Sequence, residues 1–224
     1  MVACKMKLSV IIPALDANHL LPASVARLRA GGVGEIIVCD GGTKPPPGDL
    51  GDGVTVICGK PGRGRQLKAG AERAAGDWLL FLHADTHLGE DWAKAVHDHV
   101  SRQPGKAAVF RFQLDEASAS ARRLERIVDW RCRLLALPYG DQGLLISRTL
   151  YDEIGGFSDI PIMEDVEMAR RLGRSRLRYL KVPAVTSAAR YRRDGYLKRM
   201  SRNLVCLSLY FAGVSPERIR KIYA

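Results

Sequence analysis

Trp78-Leu79-Leu80-Phe81-Leu82-His83-Ala84-Asp85 is a continuous apolar run that stops abruptly at a histidine and an acid. A run of this kind between polar segments has the pattern of a strand buried on both faces, and in alternating α/β architectures ligands sit just beyond the carboxyl ends of such strands. Asp85 therefore stands either where chemistry is done or as the cap of the next helix.

Outward from that stretch, residues 7–14, 35–39 and 54–58 are further short β-branched or apolar runs. Leu20, Leu21, Val25 and Leu28 recur at helical spacing between the first two, as do Leu67, Ala71, Ala74 and Ala75 before Trp78. The alternation predicts a mostly parallel sheet with crossover helices. Residues 44–53, rich in Pro and Gly, read as a loop. Beyond Asp85 the pattern predicts a helix over 91–100, a strand over 107–114, a longer helix over 118–137 and a short strand over 144–147. A helical turn over 150–154, the break Gly155-Gly156, a helix over 164–172, a strand over 177–182 and helices over 196–212 and 216–223 follow.

With 224 residues and 46% hydrophobic content, the chain is expected to form a single domain around one sizeable core. Cys4, Cys39, Cys58, Cys132 and Cys206 are odd in number and never in a Cys-x-x-Cys pair, which argues for reduced thiols and against a disulfide framework or zinc knuckle. Lys5 and Lys7 precede only a short apolar run interrupted by Pro13, so that run reads as a first strand and not as a secretory signal. The apolar stretch 204–214 has about half the ~20 residues needed to cross a bilayer. The expected location is cytoplasmic.

The formal charge of +11 is unevenly placed: from Arg170 onward there are 15 Lys and Arg against Asp194 and Glu217. Tyr191, Tyr196, Leu197, Met200, Leu204 and Leu207 interleave with these bases. Such an end suits an anionic lipid surface on the inner face of a membrane, a phosphorylated ligand, or a solvated basic face; nucleic acid is the disfavoured partner.

Several constellations could carry chemistry. Gly59 to Gln66 is a glycine-rich basic loop opening a helix, and Arg63, Arg65 and Lys68 beside exposed backbone amides make an anion cradle. The loop fails as a dinucleotide fingerprint, because Leu67 replaces the third glycine, and as a phosphate loop of the Gly-Lys-Ser/Thr type. Asp16, Asp40 and Asp85 each follow a strand, so a parallel sheet brings them to one edge, where a hard divalent cation and pyrophosphate would account for acids and bases together. Tyr139-Gly140-Asp141-Gln142-Gly143 suits a substrate-lining loop or a tight connection. Glu164 and Asp165, at a helix start, either complement the helix dipole or point into the cleft as a general base.

These pieces, in this order, resemble the family 2 glycosyltransferases, nucleotide-sugar enzymes with a single GT-A domain. The resemblance rests on Ser9-Val10-Ile11-Ile12-Pro13, Ile37-Val38-Cys39-Asp40-Gly41-Gly42, Gly64-Arg65-Gln66-Leu67-Lys68-Ala69-Gly70, Leu80 to Asp85, Gly155-Gly156-Phe157 and Glu164-Asp165. The form Gly-Arg-Gly-Arg-Gln-Leu with His-Ala-Asp, and the tail Gly213 to Arg218, look closest to the subgroup described as radical-SAM/selenodomain-associated, a name of gene context that fixes no acceptor.

The resemblance implies a three-layer α/β sandwich of GT-A type with helices on both faces of the sheet and a helical basic tail. It divides the chain into a nucleotide-binding half to about residue 115, an acceptor-binding half over about 116–193 and a tail over about 194–224. It implies nucleoside contact by Asp40, base and ribose contact by Pro13, Ala14 and Asp16, and a divalent metal, Mg²⁺ or Mn²⁺, on Asp85. The family's Asp-x-Asp metal motif reads His83-Ala84-Asp85 here, leaving His83 and Ala84 as nucleotide contacts. Gly42, Gly64, Arg65, Lys68, Arg190 and Arg193 complete the expected nucleotide-sugar site, with Arg192 a further arginine available to the diphosphate. Tyr139, Asp141 and Gln142 are the expected acceptor contacts.

Asp165 matches the family's catalytic base, with Glu164 beside it. The signature of processive synthases is absent, so the expected activity is an inverting transfer of a single sugar from a UDP- or GDP-sugar to a small-molecule or lipid acceptor. The rival readings are a nucleotidyltransferase and a non-catalytic nucleotide-binding module with a membrane-docking tail.

Overall fold

The structure, a computed structural model, describes residues 6–223; Cys4 and Lys5 lie outside them. The first half alternates as the sequence predicts: β1 (Leu8–Ala14), α1 (Leu21–Ala30), β2 (Glu35–Asp40), β3 (Val54–Cys58), α2 (Arg63–Arg73) and β4 (Trp78–Phe81). β1 lies between β2 and β4, parallel to both, and β3 extends the sheet beyond β2.

The apolar runs are continuous because each strand is covered on both faces. Val10, Ile12, Ile36, Val38 and Leu80 pack with Leu21, Val25 and Leu28 of α1. Ile11, Ile37, Cys39, Leu79 and Phe81, on alternate positions, pack on the other face with Leu67 and Ala71 of α2. Three layers result, in agreement with the GT-A expectation.

The second half adds β5 (Thr86–Leu88), α3 (Trp92–Arg102), β6 (Ala107–Leu114), α4 (Ala119–Leu135), a 3-10 turn (Gly140–Gln142) and β7 (Leu144–Ser147). There follow α5 (Arg148–Glu153), α6 (Glu164–Arg176), β8 (Leu177–Thr186), α7 (Ala189–Asp194), α8 (Tyr196–Phe211) and α9 (Pro216–Tyr223). The strand order is β3-β2-β1-β4-β7-β6-β8-β5.

The mostly parallel expectation holds, since four of the seven strand pairings are parallel, β6 with β8 among them; β7 runs antiparallel to β4 and to β6, and β5 antiparallel to β8, so the sheet is mixed. The physical reason is the route of the chain. It reaches the carboxyl end of β4 through residues 139–143 and then runs back down beside that strand, which hangs the loop over His83. The short β5 and α7 carried no periodicity long enough to predict them.

Helix α2 lies close against the sheet because residue 70 has no side chain. A Cβ built on Gly70 would stand 2.3 Å from Ile11 Cγ2 and 2.7 Å from Cys39 Sγ. Gly70→Ala is therefore expected to destabilise the protein by about 1–3 kcal/mol through overpacking, despite alanine's better helix propensity. Urea unfolding would measure it, and an unchanged midpoint would contradict the close approach.

Candidate functional site

Two cavities open at the carboxyl edge of the sheet and share Arg63, Asp85 and Arg190 in their walls. The first, about 1130 Å³, is bounded by Pro13, Ala14 and Asp16 after β1, His83 and Ala84 after β4, and Gly62 and Gln66 at the start of α2. The second, about 840 Å³, lies between the 139–141 loop, the start of α6 and the C-terminal helices, and contains Asp141 and Asp165.

At the junction, His83 Nδ1 lies 2.6 Å from Asp141 Oδ1. His83, Asp85 and Asp141 each present one ligand atom, and these atoms lie within 4.8 Å of one another. One imidazole nitrogen and two carboxylate oxygens form a donor set suited to a divalent cation such as Mn²⁺ or Mg²⁺. Burial opposes the charge of Asp141, but the hydrogen bond and charge of His83, with Arg63 and Arg190, outweigh it and hold this carboxyl well below the usual carboxylate range.

The adjacent acids at the start of α6 part company. Asp165 is half-buried in the wall of the second cavity, its Oδ2 accepting from Gly140 N at 2.9 Å and its Oδ1 from Val166 N at 2.8 Å. Glu164 is 1% exposed and pairs with Arg63 Nη1 at 3.2 Å. Met163, left-handed at φ 68°, makes the turn into α6 just before both acids. Burial pushes the Glu164 carboxyl above its ordinary range; Arg63 opposes that shift and Asp165 adds to it.

Of the residues expected from the sequence, Pro13, Ala14, Asp16, His83, Ala84, Asp85 and Arg190 line the first cavity, while Tyr139, Asp141 and Asp165 line the second. Others are engaged elsewhere. Arg65 turns outward into a bidentate pair with Asp159, Lys68 is exposed on α2, and Arg193 pairs with Asp194. Arg192 faces Asp115 and Glu116.

Gly64 serves packing: a Cβ there would stand 2.3 Å from Ser158 O. Gln142 is committed to the scaffold, donating to Phe110 O at 2.8 Å and accepting from Tyr139 N at 2.9 Å. Asp40, 1% exposed, accepts from Gly42 N and Thr43 N through Oδ2, which absorbs Gly42 into the same turn; its Oδ1 is buried without a partner. Asp16, Asp40 and Asp85 do share the sheet edge, but Asp85 is grouped with His83 and Asp141 and not with the other two.

The sequence places Arg63 in the anion cradle but not among the expected nucleotide-sugar contacts. Gln66 stands in the glycine-arginine motif without a role of its own there, and nothing in the sequence marks Arg131, Arg199, Asn203 or Tyr223. Gln66 Nε2 donates to Ala14 O at 2.8 Å and Cys39 O at 2.6 Å, pinning the ends of β1 and β2. The residues from α4, α8 and α9 enter the second cavity only through tertiary packing, for which the sequence carries no local signal.

Comparison with known proteins agrees with this architecture. The family model described as Glycosyl transferase family 2 matches residues 9–158. Among solved structures, GalNAc-T7 with UDP, GalNAc and Mn²⁺ superposes with a TM-score of 0.63 at 13% identity over 83% of this chain. Mannosyl-3-phosphoglycerate synthase from Rubrobacter xylanophilus gives 0.61 at 15% over 93% of this chain and 75% of its own, and S. aureus TarS 1-349 gives 0.60 at 12% over 98% and 70%. At these identities the likeness shows the fold. The chain spans 44% of the length of the GalNAc-T7 chain. No curated protein matches it.

The Arg63–Glu164 pair yields a pH-dependent prediction. Glu164 has a folded pKa raised above its unfolded value, so the folded state holds its proton more tightly and stability falls as pH rises through that range. Arg63→Met removes the opposing charge and raises the value further. The variant is expected to lose about 2–4 kcal/mol at about pH 8 and distinctly less at about pH 5, as judged by urea unfolding. Equal losses at the two pH values would contradict the pairing.

Proposed function

We propose that this chain, which belongs to glycosyl transferase family 2, transfers a single sugar from a nucleotide diphosphate sugar, a UDP- or GDP-sugar, to an acceptor hydroxyl with inversion at the anomeric carbon. The observation that carries the reading is the shared wall. A cavity at the ends of β1 and β4 and a cavity holding Asp165 meet at Arg63, Asp85 and Arg190, so a donor in one and an acceptor in the other would touch at that junction.

The donor's nucleoside would lie along Pro13, Ala14 and Asp16, and Asp40, behind that lining, keeps an unpaired Oδ1 as a further acceptor of hydrogen bonds. Its diphosphate would face Arg63 and Arg190, whose fixed positive charges stabilise the departing group without reorganisation during transfer. His83, Asp85 and Asp141 would hold a divalent cation, Mg²⁺ or Mn²⁺, which supplies further neutralisation of the diphosphate when bound.

Asp165 takes the proton of the attacking hydroxyl. Its two backbone N–H donors hold the carboxylate in one orientation, and Tyr139 beside it presents the acceptor. Glu164 acts by positioning Arg63 across its ion pair.

On this reading residues to about 115 form the nucleotide half, 116–193 the acceptor half and 194–224 the tail of one domain. The Gly-Arg-Gly-Arg-Gln-Leu stretch at 62–67 keeps the radical-SAM/selenodomain-associated subgroup as the nearest resemblance.

With diphosphate sugars and Mn²⁺ supplied, Asp165→Asn and Asp85→Ala are each expected to lower turnover at least ~100-fold, and Asp141→Asn at least ~10-fold. Turnover of Asp165→Asn within a few-fold of the parent would remove the base assignment.

No described helix is long and apolar enough to cross a membrane. The exposed Leu197, Leu204, Val205 and Phe211 of α8, beside Lys198, support docking on an anionic bilayer. The protein is expected to sediment with anionic liposomes at low salt and to be released as salt rises; no sedimentation at low salt would exclude that docking.

A further inference from the structure

The second cavity continues past Asp165 into a recess that the transfer chemistry leaves unused. Tyr139 divides the two ends. Its backbone neighbour Gly140 holds Asp165, and its ring carries the guanidinium of Arg131, 3.7 Å from the ring centroid. Arg131 Nε donates to Leu137 O at 2.7 Å. Stacking and that hydrogen bond fix the plane of the guanidinium, yet its Nη2 is buried with no partner, and Arg131 has no ion-pair partner among the described residues. Asn203 of α8, in the same lining and beside Tyr139, has a buried Oδ1 that is equally without a partner.

The other arginines of this cavity are accounted for. Arg63 is paired with Glu164, and Arg199 donates to Asp194 and to the Tyr223 hydroxyl. Arg190 stands at the junction with the first cavity, where the proposed diphosphate lies. Arg131 is the remaining cation on the acceptor side. A buried guanidinium nitrogen without an acceptor is costly, and an anion with two oxygens is the group that matches its planar fork.

We propose that this recess binds an anionic group of the acceptor, a phosphate or a carboxylate, on Arg131, with Asn203 Oδ1 accepting from a neighbouring hydroxyl, so that the hydroxyl to be glycosylated is presented to Asp165. The acceptor is then a hydroxylated anion and not a neutral sugar. This rests on the reading of the second cavity as the acceptor side.

The test is calorimetric binding of sn-glycerol 3-phosphate, D-glycerate, monomeric dihexanoylphosphatidylglycerol and glycerol to the full chain, with and without saturating UDP and Mn²⁺. Wild type is expected to bind at least one of the three anions saturably, and glycerol not at all. Arg131→Met is expected to weaken the anion at least ~10-fold, and Arg131→Lys, which keeps the charge and loses the fork, by an intermediate factor. UDP affinity should stay within about twofold of wild type in both variants, a readout that a general loss of structure would move.

Binding of the soluble anions alone identifies a free small acceptor, and binding of the phosphatidylglycerol alone identifies a lipid headgroup. Equal anion affinity in wild type and Arg131→Met overturns the proposal, as does the absence of saturable anion binding by wild type. Should Arg131→Met fail to fold, an Arg131→Lys variant with undiminished affinity overturns it in the same way. Absence of both UDP and GDP binding by wild type, with anion binding intact, would remove the donor reading and leave this one standing.

Discussion

The side-chain amide of Gln66 joins the two strand ends on which the donor side is built. β1 and β2 run parallel and stop together, and there one buried amide nitrogen donates to the carbonyls of both Ala14, which also accepts from Gly41 N at 2.8 Å, and Cys39. Because Gln66 sits in the first turn of α2, the same contact fixes where that helix begins. Arg63, one turn back, is thereby set against Glu164 and into the wall of both cavities. Loss of that amide would remove the contact that ties both strand ends to the helix start carrying the junction arginine.

The reversal of direction at β7 does for the acceptor side what parallel alignment does for the donor side. A parallel strand in that position would have entered from the opposite edge, leaving residues 139–143 far from His83. Running antiparallel, β7 is preceded by a loop that lies across the end of β4, and Asp141 reaches the His83 ring from it. The apparent departure of His83-Ala84-Asp85 from an acid-x-acid motif is in this way compensated in space: the second carboxylate comes from a residue more than fifty positions away. Asp141 was legible as a polar loop residue, but its partner was not, because nothing in the spacing of residues 139–143 encodes the direction of the strand that follows.

What was legible follows the same division. Strands buried on both faces write themselves into the sequence as unbroken apolar runs, so β1, β2, β3 and β4 and the crossover helices between them were readable, and with them the edge where Asp16, Asp40 and Asp85 gather. The glycine-arginine stretch was readable as a basic helix start. Which of its cations faces the cavity was not: Arg63 and Arg65 differ by two positions, about 200° around a helix, and only the location of Asp159 and Glu164 decides which side each is drawn to. Adjacent Glu164 and Asp165 are separated by the same logic, since consecutive helical residues point about 100° apart and one of them must face inward.

The basic C-terminal third shows why net charge is a poor guide to a site. Most of its arginines are spent on the scaffold: Arg171 on Ile154 O, Arg174 on Leu134 O, Arg176 on Glu153, Arg178 on Gln103, and Arg199 on Asp194. A guanidinium with five donors and a long apolar stem is as useful for satisfying stray carbonyls at helix ends as for binding phosphate, so composition alone cannot separate the two uses. Arg190 is set apart by its position in both cavities, and Arg131, far from the basic tail in sequence, by an unpaired nitrogen on a side chain that lines the second cavity, whereas Arg171, with unpaired nitrogens of its own, lines neither. Electrostatic reading of such a surface therefore has to count unpaired donors and not charges, because a paired guanidinium contributes little field at a distance, whereas an unpaired one in a cavity retains both its charge and its geometry for a ligand.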